Sequence, residues 1–199
     1  MRIARLAITT FAVICVFIGH LSLASAGDLG SWPQWRGGQQ NGVAVEGDYP
    51  VKWSETESIR WKAPIDGVGG STPVISDGKA FLTTGADGKN TLVAIDLLNG
   101  KSLWTTVIGD DTGGKHRKGS GSNPSAVADG ERVFAYYRSG DFACVDYQGE
   151  IQWQVNLQSE FGEDTLWWDL GSSPTLIDDL VVIAVMQSGP SYLVAYDRK

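Results

Sequence analysis

Cysteine and histidine are nearly absent: the 199 residues hold two of each. Cys15 and His20 lie in the first 26 residues, and only Cys144 and His116 follow. One cysteine beyond that point excludes an internal disulfide. A structural zinc site of Cys and His, which needs about four ligands, is excluded as well. A Ser-His-Asp set has only His116 to draw on, and no Gly-x-Ser-x-Gly elbow is present. Net positive charge is also lacking. The formal charge is -7, which argues against a nucleic-acid partner. What is abundant is glycine, with 25, and tryptophan, with 8. Together they suggest tight turns between short, aromatic-bearing strands.

The first segment reads as a secretory signal. Arg2 and Arg5 give a positive start, and no Asp or Glu precedes Asp28. An apolar run from Leu6 to about Ile18 follows, then Ala24-Ser25-Ala26, small residues where a signal peptidase reads. Cleavage after Ala26 is expected, placing the protein in the periplasm or outside the cell. No stable membrane insertion is expected after that cut. The residue after the cut is Gly27 rather than cysteine, so no lipid anchor is expected there. Residues 27–58 read as an N-terminal extension.

From residue 59 onward the chain repeats itself. Ser71-Thr72-Pro73-Val74-Ile75 resembles Ser122-Asn123-Pro124-Ser125-Ala126 and Ser172-Ser173-Pro174-Thr175-Leu176, with prolines 51 and 50 residues apart. Each is followed by a turn signal: Asp77-Gly78, Asp129-Gly130 and Asp178-Asp179. Next comes a β-prone run, then an apolar run ending in Asp96, Asp146 or Asp197. After two of these come a Gly turn and a Trp strand, Gly100…Trp104 and Gly149…Trp153. A period near fifty with four short strands per unit is what a β-propeller blade requires. Proline falls where a strand begins and no ladder donor is needed. The units run over about 66–108, 119–157 and 168–199, the last incomplete. The fold expected is all-β: a partial propeller of about three four-stranded blades.

Trp61 shares the setting of Trp104 and Trp153, because Ile59-x-Trp61-x-x-x-Ile65 repeats their surroundings. Residues 59–65 are therefore expected to be an N-terminal clasp strand, an outermost strand without a blade of its own. The three tryptophans are expected to pack between blades. Closed propellers typically use four to eight blades. An open arc would forfeit on the order of ten kcal/mol per bare face. The chain thus reads as the N-terminal part of a longer propeller or, if complete, as one that self-associates.

The residues Trp32-Pro33-Gln34-Trp35-Arg36-Gly37, Pro50–Glu57, Gly70-Ser71-Thr72-Pro73-Val74, Leu92–Asp96, Gly149–Trp153 and Gly171-Ser172-Ser173-Pro174 carry a resemblance. The chain resembles the PQQ-like (quinoprotein-type) β-propeller repeat proteins in their secreted bacterial, planctomycete-like form. The likeness covers residues 32–199. It implies a ring of seven or eight blades, of which this would be the N-terminal portion. It also implies pyrroloquinoline quinone as the one cofactor to test, and none is expected from the residues themselves. The adjacent cysteines that sit against the cofactor in quinone-dependent alcohol dehydrogenases are missing here. No metal loop is legible either: Asp110-Asp111-Thr112 reads as a solvated turn.

The candidate ligand-binding residues are few. Lys115-His116-Arg117-Lys118 is the one basic run, and His116, Arg117 and Lys118 could hold an anion. The alternative for that run is an exposed loop. Trp167-Trp168 precedes the third unit, and Trp168 is a candidate stacking platform for a saccharide or flat ligand, with rim packing as the alternative. Asp96, Asp146 and Asp197 recur with the repeat and read as turn caps rather than catalytic groups. No catalytic residue is assigned. The leading functional expectation is an exported, non-catalytic scaffold binding a protein, saccharide or anionic ligand. The alternatives are the N-terminal part of a quinone- or metal-dependent oxidoreductase, and an envelope protein-assembly scaffold.

Overall fold

The computed structural model describes residues 30–187 and 189–199. The expected signal segment lies outside the described residues. Among the described residues, eleven strands form three antiparallel sheets, one per repeat unit. The first sheet runs in order from β1 (Val74–Ser76) through β2 (Lys79–Ala86) and β3 (Lys89–Asp96) to β4 (Ser102–Asp110). The second contains β5 (Val127–Ala128), β6 (Arg132–Tyr136), β7 (Asp141–Asp146) and β8 (Ile151–Asn156). The third contains β9 (Thr175–Ile177), β10 (Leu180–Val185) and β11 (Tyr192–Asp197). This is a partial β-propeller.

The turns follow from residue chemistry. Asp77-Gly78 and Asp87-Gly88 join strands through two residues, all four at positive φ. That is the twist-matched hairpin which Asp-Gly favours. A β-bulge falls at Ala94/Ile95 in the first sheet and at Cys144/Val145 in the second, the same place in the repeat. One short helix, α1 (Leu157–Phe161), was not legible in the sequence. Asn156 caps it by accepting from the Ser159 amide at 3.0 Å.

The sheets stack face to face, so their middle strands are buried on both sides. Val74, Phe81, Leu92 and Ala94 of the first sheet meet Val133, Ala135, Ala143 and Val145 of the second. The opposite face of the second sheet, with Phe134, Phe142 and Cys144, meets Val181, Ile183 and Val185 of the third. The inner strands are also tied at their starts. The Thr72 amide donates to Ser125 Oγ at 2.9 Å, and the Ser125 amide donates to Ser173 Oγ at 3.0 Å.

Residues 59–65, the expected clasp without a blade of its own, pair with no strand among the described residues. The segment is held by side chains alone. Trp61 and Ala63 pack on Ala80, Val93 and Ile95 at the free face of the first sheet. The extension is tied by its backbone instead. Trp32 exchanges two backbone hydrogen bonds of 2.8 Å with Ile75, adding to the free edge of β1. The Pro33 carbonyl accepts from the Ala128 amide of β5 at 2.8 Å. The N-terminal motif thus ties the inner edges of two neighbouring sheets.

Candidate functional site

The loops at the end opposite the Asp77-Gly78 turn carry most of the unusual chemistry. One, residues 111–126, joins the first sheet to the second. The other, residues 157–174, joins the second to the third. Asp169 fixes them together by accepting from the His116 amide at 3.0 Å and from the Lys115 amide. A Cβ on Gly119 would collide with the Asp169 carboxylate, so the close approach needs glycine there. Lys115 Nζ lies 2.9 Å from Asp164 and also donates to the Leu166 carbonyl. Arg138 Nε stands 3.8 Å from the same Asp164 oxygen, and its Nη1 donates to the Gly113 carbonyl at 2.7 Å. All three charged side chains are mostly shielded from solvent, so the pairing is needed to offset their desolvation.

Beneath these loops a polar network crosses from sheet one to sheet two. Asn90 Nδ2 donates to Ser139 Oγ at 2.8 Å, and Ser139 Oγ donates to Asp141 Oδ2 at 2.6 Å. Asn156 Nδ2 reaches Asp141 Oδ1 at 3.1 Å. Burial, reinforced by Asp141, pushes the Tyr137 phenol well above its ordinary value and keeps it protonated.

Of the predicted site residues, His116, Arg117 and Lys118 are exposed on the first loop, and His116 Nδ1 accepts from the Lys118 amide at 3.2 Å. Trp168 is 44% exposed and Trp167 is 83% exposed, their rings edge to face at 5.3 Å. They sit in a bend rather than a strand, so neither is directed into the core. Asp169, next to Trp168, brings this pair into one loop assembly with the basic run. Sequence reading did not single out Asp164, Asp169 or Arg138. Their partners lie 25 to 54 residues away, and a one-dimensional pattern carries no sign of that. The repeat residues behave as spacers and caps. Asp96 Oδ1 accepts from the Leu98 amide at 2.7 Å, and Asp146 Oδ1 accepts from Gln148 and Glu150 at 2.9 Å.

Three stacked antiparallel sheets with repeating Trp, Gly and Asp positions define a segment of a β-propeller. The chain belongs to the PQQ-type repeat family described as outer membrane protein assembly factor BamB, matched over residues 25–199. Among solved structures it is similar to BamB from Moraxella catarrhalis, at 19% identity and a TM-score of 0.47. That alignment covers 70% of this chain and 36% of the other. It is also similar to the quinohemoprotein alcohol dehydrogenase from Comamonas testosteroni, at 19% identity and a TM-score of 0.49. There the coverage is 67% of this chain and 20% of the other. The chain therefore spans well under two thirds of either. No curated protein sequence matches it. Among the described residues, no helix is long and apolar enough to cross a membrane.

Pyrroloquinoline quinone, which the resemblance implies, is a flat tricarboxylate that needs several unspent cations. Lys115 and Arg138, the two shielded cations of the loop assembly, are already engaged by Asp164 and backbone carbonyls. The carboxylates of Asp111, Asp141 and Asp169 press against Gly121, Gly109 and Gly119 in the same region. The shielded cations of these loops are thus not free to hold a tricarboxylate, and Arg117 and Lys118 of the same loop are exposed rather than enclosed.

Proposed function

We propose that the chain is an exported, non-catalytic propeller segment that binds a protein partner through the loops carrying His116, Arg117, Lys118, Trp167 and Trp168. One observation carries this reading. The two loops are fastened from beneath through Asp169 and the shielded Lys115–Asp164 pair, while two aromatic rings and three basic side chains are left outward. Fastened loops lose little entropy on binding, which is the advantage of a preorganised contact surface. Tryptophan and arginine are also the residues that dominate protein-binding surfaces. The family's description as an outer membrane protein assembly factor supports an envelope role and a polypeptide ligand. The basic run favours a partner with acidic groups beside an apolar one.

The test is titration of the purified chain with an unfolded outer-membrane β-barrel polypeptide, read by fluorescence anisotropy. Trp167→Ala with Trp168→Ala should weaken binding at least tenfold, and Arg117→Ala with Lys118→Ala should remove its salt dependence. Equal affinity for all three proteins would discard the reading.

A further inference from the structure

The first two sheets meet over a row of small residues at the loop end. Gly85 of β2, Asn90 of β3 and Gly109 of β4 are paired across their strands, so they lie side by side on one face of the first sheet. The two glycines leave room that carboxylates take up. An added Cβ on Gly85 would collide with Asp111 Oδ2, and one on Gly109 would collide with Asp141 Oδ2. Asp111 directly follows β4 and folds back over the sheet. Its Oδ1 lies against Gly121 and accepts from the Gly113 amide at 2.8 Å. The Asn90 amide thus stands between two carboxylates.

Among the described residues, neither carboxylate is paired with a basic side chain. The cations nearby are engaged elsewhere, Lys89 by Asp110, and Lys115 and Arg138 by Asp164. Asp141 meets only neutral donors, Ser139 Oγ at 2.6 Å, Asn156 Nδ2 at 3.1 Å and Asn90 Nδ2 at 3.4 Å. Asn90 is fully buried, and its Nδ2 turns toward β4, where it also donates to the Asp110 carbonyl at 3.0 Å. Its Oδ1 therefore faces the Gly85 side, where Asp111 lies, and is without a hydrogen-bond partner. Tyr137 adds a second such group. Its amide donates to the Asp141 carbonyl at 3.0 Å, which sets it beside Asp141, and its ring packs into the core shared by the first two sheets. The side chain is fully buried and its hydroxyl is also unpartnered. Two acceptors turned toward each other in a shielded place call for a positive group between them, because burial without one is costly.

We propose that a divalent cation of the calcium class binds between Asp111 Oδ2 and Asn90 Oδ1. The Tyr137 hydroxyl holds a water of its shell, and Asp141 supplies the second negative charge from the far end of the row. Two carboxylates balance a charge of two. All the donors are oxygens, and calcium accepts a mixed, irregular oxygen shell more readily than magnesium does. Among the described residues no three His, Cys, Asp or Glu side chains gather in a way that could hold a metal ion, so the neutral oxygen of Asn90 is what completes this site. A bridging water alone would satisfy Asn90 and Tyr137 but leave both carboxylates uncompensated. The ion ties the start of the 111–126 loop to the middle of the first sheet. The site lies wholly between the first two sheets and is independent of what the rim loops bind.

The experiment is calorimetric titration of the purified full chain, freed of metal by a chelator, with calcium chloride. One ion per chain should bind with a dissociation constant of about 0.1 to 1 mM, the range of extracellular calcium modules. Magnesium should bind at least tenfold more weakly. Asp111→Asn keeps the shape and removes the charge, and should weaken calcium binding at least tenfold. Tyr137→Phe removes only the hydroxyl and should weaken it about tenfold, the usual effect of losing an outer partner. Asp110→Asn, one residue away on an exposed side chain paired with Lys89, should leave it unchanged. Circular dichroism checks that each variant is folded. No saturable binding of calcium up to about 10 mM, ten times the weak end of that range, overturns the proposal. So does an affinity that Asp111→Asn leaves unchanged, or one that Asp110→Asn lowers as much. If Asp111→Asn does not fold, Tyr137→Phe is compared with Asp110→Asn, and equal affinities overturn the proposal.

Discussion

The indole Nε1 of Trp104, on the last strand of one sheet, donates at 3.0 Å to the backbone carbonyl of Tyr147 in the next. The ring also packs over Gly149, where an added Cβ would stand 2.9 Å from Trp104 Cδ2. Trp61 stands to Leu97 and Gly100 in the same way. Trp61 and Trp104 thus tie one unit to the next by ring and donor together, whereas Trp153 does so by ring contacts with Phe134, Phe142 and Tyr196, its buried Nε1 having no hydrogen-bond partner among the described residues. This is a packing role with a polar end, which suits a side chain that is mostly apolar but carries one donor.

Trp104→Phe should keep most of the apolar contact and leave the Tyr147 carbonyl without its donor. We expect a loss of about 1 kcal/mol in urea unfolding, the usual value of one such bond. Trp104→Ala should lose about 3 to 5 kcal/mol, because it opens a void between two sheets. Equal losses for the two variants would show that the hydrogen bond, rather than the ring, holds the sheets.

Gly149→Ala carries two penalties. The residue sits at φ 96°, where side chains are strained, and the new Cβ meets the Trp104 ring. We expect a loss of about 1 to 2 kcal/mol in the native background. Against Trp104→Ala the steric share should vanish and only the backbone share remain. A double-mutant cycle therefore gives a coupling of one sign, and a coupling of zero would remove the contact from the explanation.

How far the sequence reaches is clearest in these positions. Trp104, Gly149 and Asp146 recur at fixed spacing because each unit solves the same packing problem, so their roles are local and legible. Asp-Gly turns are legible for the same reason: their conformation is set by two adjacent residues. The pairing of Asp169 with the amides of Lys115 and His116 is not, since it joins two loops that do not repeat. Trp32 on the edge of β1 was likewise hidden, because an edge accepts any backbone and leaves no side-chain pattern. The side chains of residues 59–65 are legible because Trp61 repeats the setting of Trp104, and its contacts with the first sheet are local to that repeat.

Asp169→Ala should free the two loops without unfolding the sheets. The Lys115 and His116 amides lose their acceptor, and Gly119 loses the carboxylate it abuts. Limited trypsin digestion should then cut after Lys115, Arg117 or Lys118 at least tenfold faster, while the urea midpoint moves little. Asp169→Asn keeps one acceptor oxygen and should fall between. An unchanged cleavage rate in both would show that Lys115 and Asp164 suffice to hold the loop.

Alkaline pH should weaken the fold in two stages. Burial pushes the Cys144 thiol up to about 12; Arg132 pulls it down, and Asp129 and Asp146 push it further up. The Tyr136 phenol is raised to about 12 by burial and by Asp164. In both, the folded state holds the proton more tightly than the unfolded chain. Their contribution is therefore complete below the unfolded values, about 8.5 for cysteine and about 10 for tyrosine. It is lost progressively as pH rises from there toward 12. The urea midpoint should be level at neutral pH and begin to fall near pH 8.5. In Cys144→Ala the first stage should disappear and the decline should start near pH 10, where tyrosine ionisation takes over. Superimposable pH profiles for the two proteins, apart from a constant offset, would mean that the thiol ionises as easily in the folded chain as in the unfolded one.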